Sequence, residues 1–419
     1  MKNIFYSTRI ACFLLLFALN SPAQERNRIS GTVINATTHQ PIASASIFIS
    51  GTTSGTMSNA SGHFVLNNVP AKGSFELVIS SIGFNTYVHP YNADTLPLTL
   101  RLNMTPKATE LESVVVEPWE KDGWAKWGKL FTESFVGTIA ASKNCEIKNK
   151  KALRFRFSRK TNVLIAVADE PLIIENKALG YRIKYTLEDY ICNMKERTLL
   201  YVGYTLFEDM VEAGEKVPRR LASNRKHAYN GSIMHFMRSL YNNTLAQDGF
   251  EVQRLIKEPN LEKERVKKEY QSLWRRNIGT GSRMIMRPGD GIRIVSDSSA
   301  YYSSILRQED FINVINPVLL TADSLMSQRD SSIVMYFPNY LYVTYKKGEE
   351  EQEFLTRTAD VRQPGHQRSE LVLLQGNPIL VESSGTYYPP QELFALGYWA
   401  WSEKIAHLLP VEYNPEQNR

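Results

Sequence analysis

Short segments with alternating apolar and polar side chains recur through residues 25–104, and turns rich in glycine separate them. Each segment has the period of two that is typical of a β-strand with one buried face. The segments are Ile29–Val33, Ala45–Ile49, His63–Leu66, Phe75–Ile79 and Leu96–Leu100. Helical periodicity is missing from this region, which is therefore predicted to form an all-β sandwich of about seven strands.

Several motifs in the same region resemble the carboxypeptidase regulatory-like domain. They follow one another in the order Gly31-Thr32-Val33, Pro41–Ile47, Gly51–Thr56, Asn59–Phe64 and Ser80–Phe84. The resemblance implies a transthyretin-like sandwich and an exported protein of the kind common in Bacteroidetes-type bacteria. Family members usually carry an acidic residue in the turn that 59–62 occupies here, so no cation site is expected in that turn.

Peptidase chemistry does not follow from this resemblance. A catalytic zinc of the carboxypeptidase kind needs a His-x-x-Glu pair and a distant histidine, because those three ligands leave one position open for water. The chain has seven histidines, and none of them is followed by glutamate three positions later. Zinc carboxypeptidase activity is excluded on this ground, and neither a metal nor another cofactor is predicted.

Residues 1–24 have the pattern of a signal peptide. Lys2 and Arg9 give it a positively charged N-terminal region, the apolar run 10–19 follows, and 21–24 offers small residues for cleavage. The run is shorter than the roughly 20 apolar residues that cross a bilayer as a helix. The mature chain is therefore predicted to be exported to the periplasm or the outer-membrane surface, without a transmembrane segment.

The remainder is predicted to be a linker at 105–125 and an α+β domain at 126–419, which makes the protein multidomain. Alternating segments predict strands at 152–157, 162–167, 181–187, 199–204, 332–337, 341–345 and 370–374. Apolar stripes at helical spacing predict helices at 233–247 and 394–408. A further helix is predicted at 261–274, where Glu264 and Lys268 form an i, i+4 pair typical of a solvated face. Ser232 is the predicted N-cap of the first helix and Gly249 its end.

Three of the six tryptophans lie within nine positions, Trp119 and Trp124 at the end of the predicted linker and Trp127 just after it. One interpretation is an aromatic platform for a sugar or a partner. The other is an amphipathic helix that packs onto the domain, since Trp124, Trp127 and Phe131 have helical spacing. The second interpretation is favoured, because such stripes usually face a core.

The densest basic run contains Arg219, Arg220, Arg225 and Lys226. These side chains could contact lipopolysaccharide phosphates or another acidic polymer. A solvated loop is the favoured alternative, because runs of charge commonly serve solubility. Together with the three tryptophans, the four residues form the ligand or partner surface that the sequence suggests.

Composition and motifs exclude several functional classes. The formal charge of +6, from 49 basic and 43 acidic residues, is too small to indicate a nucleic-acid partner. Outside the signal peptide only Cys145 and Cys192 remain, which could pair in an oxidising compartment or stay as separate thiols. The chain contains no Gly-x-Ser-x-Gly elbow, P-loop or dinucleotide fingerprint.

These observations favour a non-catalytic envelope protein with a binding or assembly role. Segments 169–176 and 231–236 resemble the uncharacterised C-terminal part of exported proteins that carry the same N-terminal module, and this resemblance brings no catalytic residues with it. The partner would be an envelope protein or a glycan. The alternative is an envelope hydrolase that acts on glycan or peptide in the C-terminal domain, because two facing carboxylates suffice for glycoside hydrolysis and cannot be found from spacing.

Overall fold

A computed structural model describes residues 27–107, 117–278, 298–329, 332–358 and 361–416. The predicted signal peptide and the middle of the predicted linker lie outside these residues. Among the residues described, no helix has the length and apolar character needed to cross a membrane.

The N-terminal region is a sandwich of two sheets, as predicted. Its strands are β1 Arg28–Asn35, β2 Ser46–Ile49, β3 Gly55–Met57, β4 His63–Asn67, β5 Ser74–Ser80, β6 Tyr87–Asn92 and β7 Leu98–Met104. One sheet has the order β4-β1-β7 and the other β3-β2-β5-β6. Alternate residues such as Ile47 and Ile49 in β2 and Leu77 and Ile79 in β5 are fully buried between the sheets. A 3-10 helix at Ala93–Thr95 joins β6 to β7.

The second part of the chain is a six-stranded antiparallel sheet covered by helix α1, Gly123–Phe135. Its strands are β8 Cys145–Ile147, β9 Leu153–Ser158, β10 Val163–Ala168, β11 Leu172–Asn176, β12 Tyr181–Asn193 and β13 Thr198–Asp209. They run in the order β8-β11-β12-β10-β9, and β13 also pairs with β12. Two 3-10 helices, Ala140–Asn144 and Lys150–Ala152, flank β8. Phe131 and Phe135 of α1 are fully buried on this sheet.

The third part consists of helices and two further sheets, and it has a hydrophobic core of its own. The helices are α2 Arg219–Tyr229, α3 Ile233–Tyr241, α4 Leu245–Asp248, α5 Leu261–Ile278, α6 Ser298–Leu306, α7 Ala322–Leu325, α8 Gln352–Thr358 and α9 Tyr398–Ser402. The strands are β14 Phe250–Pro259, β15 Phe311–Leu319, β16 Met326–Arg329, β17 Ser332–Met335, β18 Tyr340–Glu349, β19 His366–Leu373, β20 Ile379–Val381, β21 Tyr387–Tyr388 and β22 Leu393–Gly397. The sheets have the orders β15-β14-β18-β19-β22 and β16-β17-β20-β21, and 3-10 helices lie at Pro390–Glu392 and Ile405–His407. The mixed α and β character predicted for this region is confirmed.

The predicted helix at 233–247 is interrupted. Ser232 is its N-cap as predicted, because its hydroxyl accepts a hydrogen bond from the backbone N–H of His235 at 3.0 Å. The helix ends at Tyr241, and a second one begins at Leu245 after Asn243 adopts a φ of +55°. Gly249, with a φ of +95°, ends the second helix, since glycine adopts this conformation without strain.

The predicted helix at 394–408 is wrong. Residues 393–397 form strand β22 on β19, a five-residue helix follows, and 405–407 form a 3-10 turn. Gly397, with a φ of +71° and a ψ of −135°, separates strand from helix. Tyr398, Trp401 and Ile405 of the apolar stripe pack in the core of the six-stranded sheet, but Phe394 is exposed on β22. Trp399, which lies outside the stripe, packs in the core of the third part.

The sandwich is joined to the other two parts through the turn after β2. Gly51 donates its backbone N–H to the carbonyl of Thr205 in β13 and accepts one from Val411 at the chain's C-terminal end, both at 2.8 Å. Thr52 is fully buried and accepts the N–H of Phe207 at 2.9 Å. Three segments far apart in the chain therefore meet at one turn, and a cleft lies beside it.

Candidate functional site

The structure places the three tryptophans against the chain's own side chains. Trp124 and Trp127 are half-buried on the core of the six-stranded sheet, with ring centroids 6.4 Å from Phe155 and 4.8 Å from Phe157 respectively. Trp119 lies under the guanidinium groups of two arginines of β9, at 4.8 and 4.1 Å from its ring centroid. The rings are engaged within the protein, and this leaves little open platform for a sugar.

The basic run belongs to helix α2 rather than to a loop, and its four residues differ in role. Arg219, Arg220 and Lys226 are exposed on the helix surface. Arg225 is only 2% exposed, so its place in a ligand surface is wrong.

All the contacts of Arg225 are internal. Its guanidinium donates to the carbonyl oxygens of Leu179 and Gly180 at 2.7 and 3.4 Å and to Asp209 at 2.8 Å. It also stacks on the ring of Tyr181 at 4.0 Å. The helical periodicity of 219–229 turns this one side chain of the run inward, where it fastens α2 to the turn before β12.

A cleft of about 620 Å³ opens where the sandwich meets the other two parts. Its wall includes Ser50 and Glu76 from the sandwich, Tyr204 from β13, and several residues of the third part. Those last residues include Met234, Gly385, Thr386, Tyr387, Tyr388, Pro389, Pro390, Glu403 and His407. The described residues that line it include no lysine or arginine. Clefts at domain junctions, lined by aromatic side chains and a few polar groups, are the usual form of ligand sites.

Two carboxyl groups face this cleft from opposite parts of the chain. Burial raises the pKa of Glu403 to about 7, although the N–H of Ile233 at 3.2 Å and the charge of Lys404 both oppose the rise. Burial also raises the pKa of Glu76. Perturbed carboxyl groups in one cleft are a recognised mark of a functional site, because burial of a charge needs a compensating reason.

The tyrosines of the cleft keep their protons at physiological pH. Burial raises the pKa of Tyr387 to about 12, with the charge of Glu403 as a second cause. The pKa values of Tyr204 and Tyr388 are also raised, first by burial and then by the charge of Glu76. The cleft therefore offers neutral phenol donors and aromatic faces rather than anions.

Sequence reasoning missed this cleft because its residues are spread from 50 to 411. The one local signal was the run Tyr387-Tyr388-Pro389-Pro390, an unusual concentration of aromatic and proline residues. Glu76 and Glu403 look like ordinary carboxyls in the sequence. Only packing against other segments buries them.

Both cysteines of the described chain are free. Burial raises the pKa of the Cys145 thiol to about 12 and also raises that of Cys192. A thiol with a raised pKa is a poor nucleophile, so neither residue is a candidate for catalysis.

Strand β15 is exposed along its whole length at the edge of its sheet. Phe311, Val318 and Leu319 are each more than half exposed. Pro317 lacks a backbone N–H, which weakens this edge as a template for an added strand. The strand thus presents an apolar surface, but its edge lacks one of the backbone N–H groups with which a peptide strand of a partner would pair.

Comparison with protein families identifies the domain at the N-terminal end of the chain. Residues 29–116 match the family model described as a CarboxypepD_reg-like domain. This segment is a carboxypeptidase regulatory-like domain. The carboxypeptidase regulatory-like domain supplies Ser50, Gly51 and Glu76 to the cleft. The remaining chain matches no family model, and no curated protein matches the sequence.

Three solved structures show weak similarity. A chain of a type II cohesin–X-dockerin complex from Acetivibrio cellulolyticus is 20% identical over 19% of this chain and 52% of its own, with a TM-score of 0.15. A 9R-lipoxygenase from Cyanothece PCC8801 is 10% identical over 54% and 50%, with a TM-score of 0.16. A putative membrane-associated protein of unknown function from Bacteroides fragilis NCTC 9343 is 9% identical over 86% and 94%, with a TM-score of 0.16. The first two alignments span about half of the matched chains, and scores this low carry no inference about fold or function.

Proposed function

We propose that this chain is an exported cell-envelope protein that binds an uncharged oligosaccharide in the cleft between its carboxypeptidase regulatory-like domain and the rest of the chain. The observation that carries the proposal is the cleft itself, with tyrosines on its wall and no cationic side chain among its described lining residues. The binding role is non-catalytic.

The chemistry of the wall favours a sugar over other ligands. Tyrosine rings present flat apolar faces with a polar hydroxyl at one end, and this combination suits a ligand that is apolar on one face and polar at its rim. Carboxyl groups such as Glu76 and Glu403 can hydrogen-bond sugar hydroxyls. An anionic ligand would meet two acidic groups and find no lysine or arginine in the described wall, so its binding is disfavoured.

Export rests on the pattern of residues 1–24. We expect the protein recovered from the envelope fraction of a Bacteroidetes-type host to begin near residue 24 or 25, because the small residues at 21–24 suit cleavage. Intact-mass spectrometry of the purified protein measures this directly. Recovery of the uncleaved chain from the cytoplasmic fraction would contradict export.

Binding is tested by screening neutral and acidic oligosaccharides on an array, followed by calorimetry with the strongest neutral binder. We expect Tyr388→Ala and Tyr204→Ala each to weaken binding about tenfold, because each removes an aromatic face from the cleft. Tyr336→Ala is the matched control, since Tyr336 is 48% exposed and lies outside the cleft wall.

Two results would count against the proposal. One is the absence of binding to every neutral oligosaccharide on the array. The other is binding that both cleft variants leave unchanged while their circular dichroism stays that of the wild type.

A hydrolase is the second candidate, and the raised pKa of Glu403 favours it. A carboxyl group with a pKa of about 7 can act as a general acid at neutral pH, and Glu76 is a second carboxyl in the same cleft. Incubation of the bound oligosaccharide with the protein separates the two functions. Cleavage that Glu403→Gln abolishes would establish the hydrolase, whereas an intact ligand supports binding alone.

A further inference from the structure

Two histidines and a glutamate from distant segments meet close to the cleft. His227 lies in the last turn of α2, Glu351 immediately precedes α8, and His407 ends the 3-10 turn at 405–407. One ligand atom from each of the three lies within 4.8 Å of those of the other two. His227 Nε2 is 3.8 Å from a carboxylate oxygen of Glu351, and the two imidazole rings are 6.1 Å apart at an angle of 77°.

We propose that His227, Glu351 and His407 bind a divalent transition-metal ion, for which Zn²⁺ is the best match. Two imidazoles with one carboxylate are a ligand set that suits zinc, and three protein ligands leave a fourth position for water or a bound molecule. His407 also lines the cleft, so the two sites share one residue, but metal binding by these three side chains needs no sugar in the cleft.

The spacing is close to what coordination requires. Ligand atoms around a tetrahedral zinc at 2.0–2.1 Å lie roughly 3.4 Å from one another. A separation of 4.8 Å must therefore shrink by about 1.4 Å, which is within the reach of a side-chain rotation. The His227 side chain is 66% exposed, so it can turn without displacing packed neighbours.

The other two ligands are held in place by their surroundings. The second carboxylate oxygen of Glu351 accepts the N–H of Ala140 at 3.2 Å. The residue before His407, Ala406, is fully buried, donates its N–H to Val136 and accepts a hydrogen bond from the buried Asn176 at 2.9 Å. Hydrogen bonds to a ligand group orient it toward the metal, and loss of such support commonly lowers affinity.

Protonation states favour binding at two of the three positions. Burial lowers the pKa of His407 to about 4, so this imidazole is neutral at pH 7. The pKa of Glu351 is lowered despite its burial, by His227 and by the N–H of Ala140, so it is ionised. The carboxylate of Glu351 raises the pKa of His227.

The site also has access to a small polar pocket. His227 and His407 both line it, together with Tyr398, Ser402 and Glu403. Neighbouring groups that face the cluster are thus a phenol, a hydroxyl and the buried carboxyl that also reaches the cleft. Glu353, two residues after Glu351, pairs with Lys143 at 3.3 Å.

The test is a zinc titration of the tag-free, full-length mature protein after removal of metals with a chelator, using a chromophoric zinc indicator as competitor. We expect one equivalent of Zn²⁺ to bind. Replacement of a residue that only hydrogen-bonds to a metal ligand typically weakens metal binding 10–100-fold. We expect a larger loss of zinc affinity from each of the three ligand variants, His227→Gln, Glu351→Gln and His407→Gln. Titration with Co²⁺ should give visible absorption bands of a four-coordinate site in the wild type and not in the variants.

Matched controls keep the result interpretable. Glu353→Gln removes a nearby exposed carboxylate, and His89→Gln removes a histidine of the sandwich, so neither should change the affinity. His227→Gln tests the site without a folding risk, because His227 is exposed. Binding of no zinc, or of one equivalent that all three ligand variants retain, would overturn the proposal. Neither result bears on oligosaccharide binding, which is measured in metal-free buffer.

Discussion

Replacement of Arg225 by alanine is expected to lower the free energy of unfolding by about 3 kcal/mol. The guanidinium is buried and donates to the carbonyls of Leu179 and Gly180 and to Asp209. Without it, two carbonyl groups lose a charged donor and a space opens beside the ring of Tyr181. Loss of a buried charged donor is among the few changes that destabilise a protein this strongly.

Urea unfolding followed by circular dichroism measures this difference. Arg219→Ala and Arg220→Ala are the matched controls, because both residues lie on the same helix and are exposed. We expect each to change the free energy of unfolding by less than about 0.5 kcal/mol. If Arg225→Ala were as stable as the two controls, the internal role assigned to Arg225 would be incorrect.

Glu403→Gln is expected to stabilise the protein at pH 8 by about 3 kcal/mol and to have almost no effect at pH 4.5. The pKa of Glu403 is about 7 in the folded protein, against an ordinary value of 4.5. Between these values the folded state binds the proton more tightly than the unfolded state does. Stability therefore falls as pH rises from 4.5 to about 7, and the full loss is present above pH 7.

Other groups titrate in the same range, so the informative quantity is the difference between wild type and variant. His235 and His407 have pKa values lowered to about 4 by burial, and the stability that they hold above pH 6.5 is lost as pH falls toward 4. Lys404, Tyr201, Tyr387 and Tyr398 are the other ionisable groups that interact with Glu403.

Unfolding curves at pH 4.5, 6, 7 and 8 provide this difference for Glu403→Gln and for the control Glu353→Gln. Glu353 is partly exposed and pairs with Lys143 at the surface, so its replacement should give a nearly constant small difference. A difference for Glu403→Gln that did not change with pH would show that the carboxyl titrates normally.

The errors of sequence reasoning in the C-terminal region have a common physical cause. The stripe from Phe394 to Leu408 has helical spacing, yet Phe394 is exposed on a strand, whereas Tyr398 and the later members pack in the core of the six-stranded sheet. Periodicity does not show whether the backbone stays helical between the buried positions, because that depends on the sheets against which the segment packs. The same limit applies to Arg225, since a charge run shows no sign of the one member that turns inward.

The carboxypeptidase regulatory-like sandwich and the local strand patterns could be recognised from the residues alone, because alternation, turn glycines and the Ser232 cap act over a few neighbouring positions. The cleft, the burial of Glu403 and the meeting of His227, Glu351 and His407 arise only when separate sheets pack together. Such contacts join residues many positions apart. Their distances depend on the mutual packing of whole sheets and helices, and no local pattern of side chains records that arrangement.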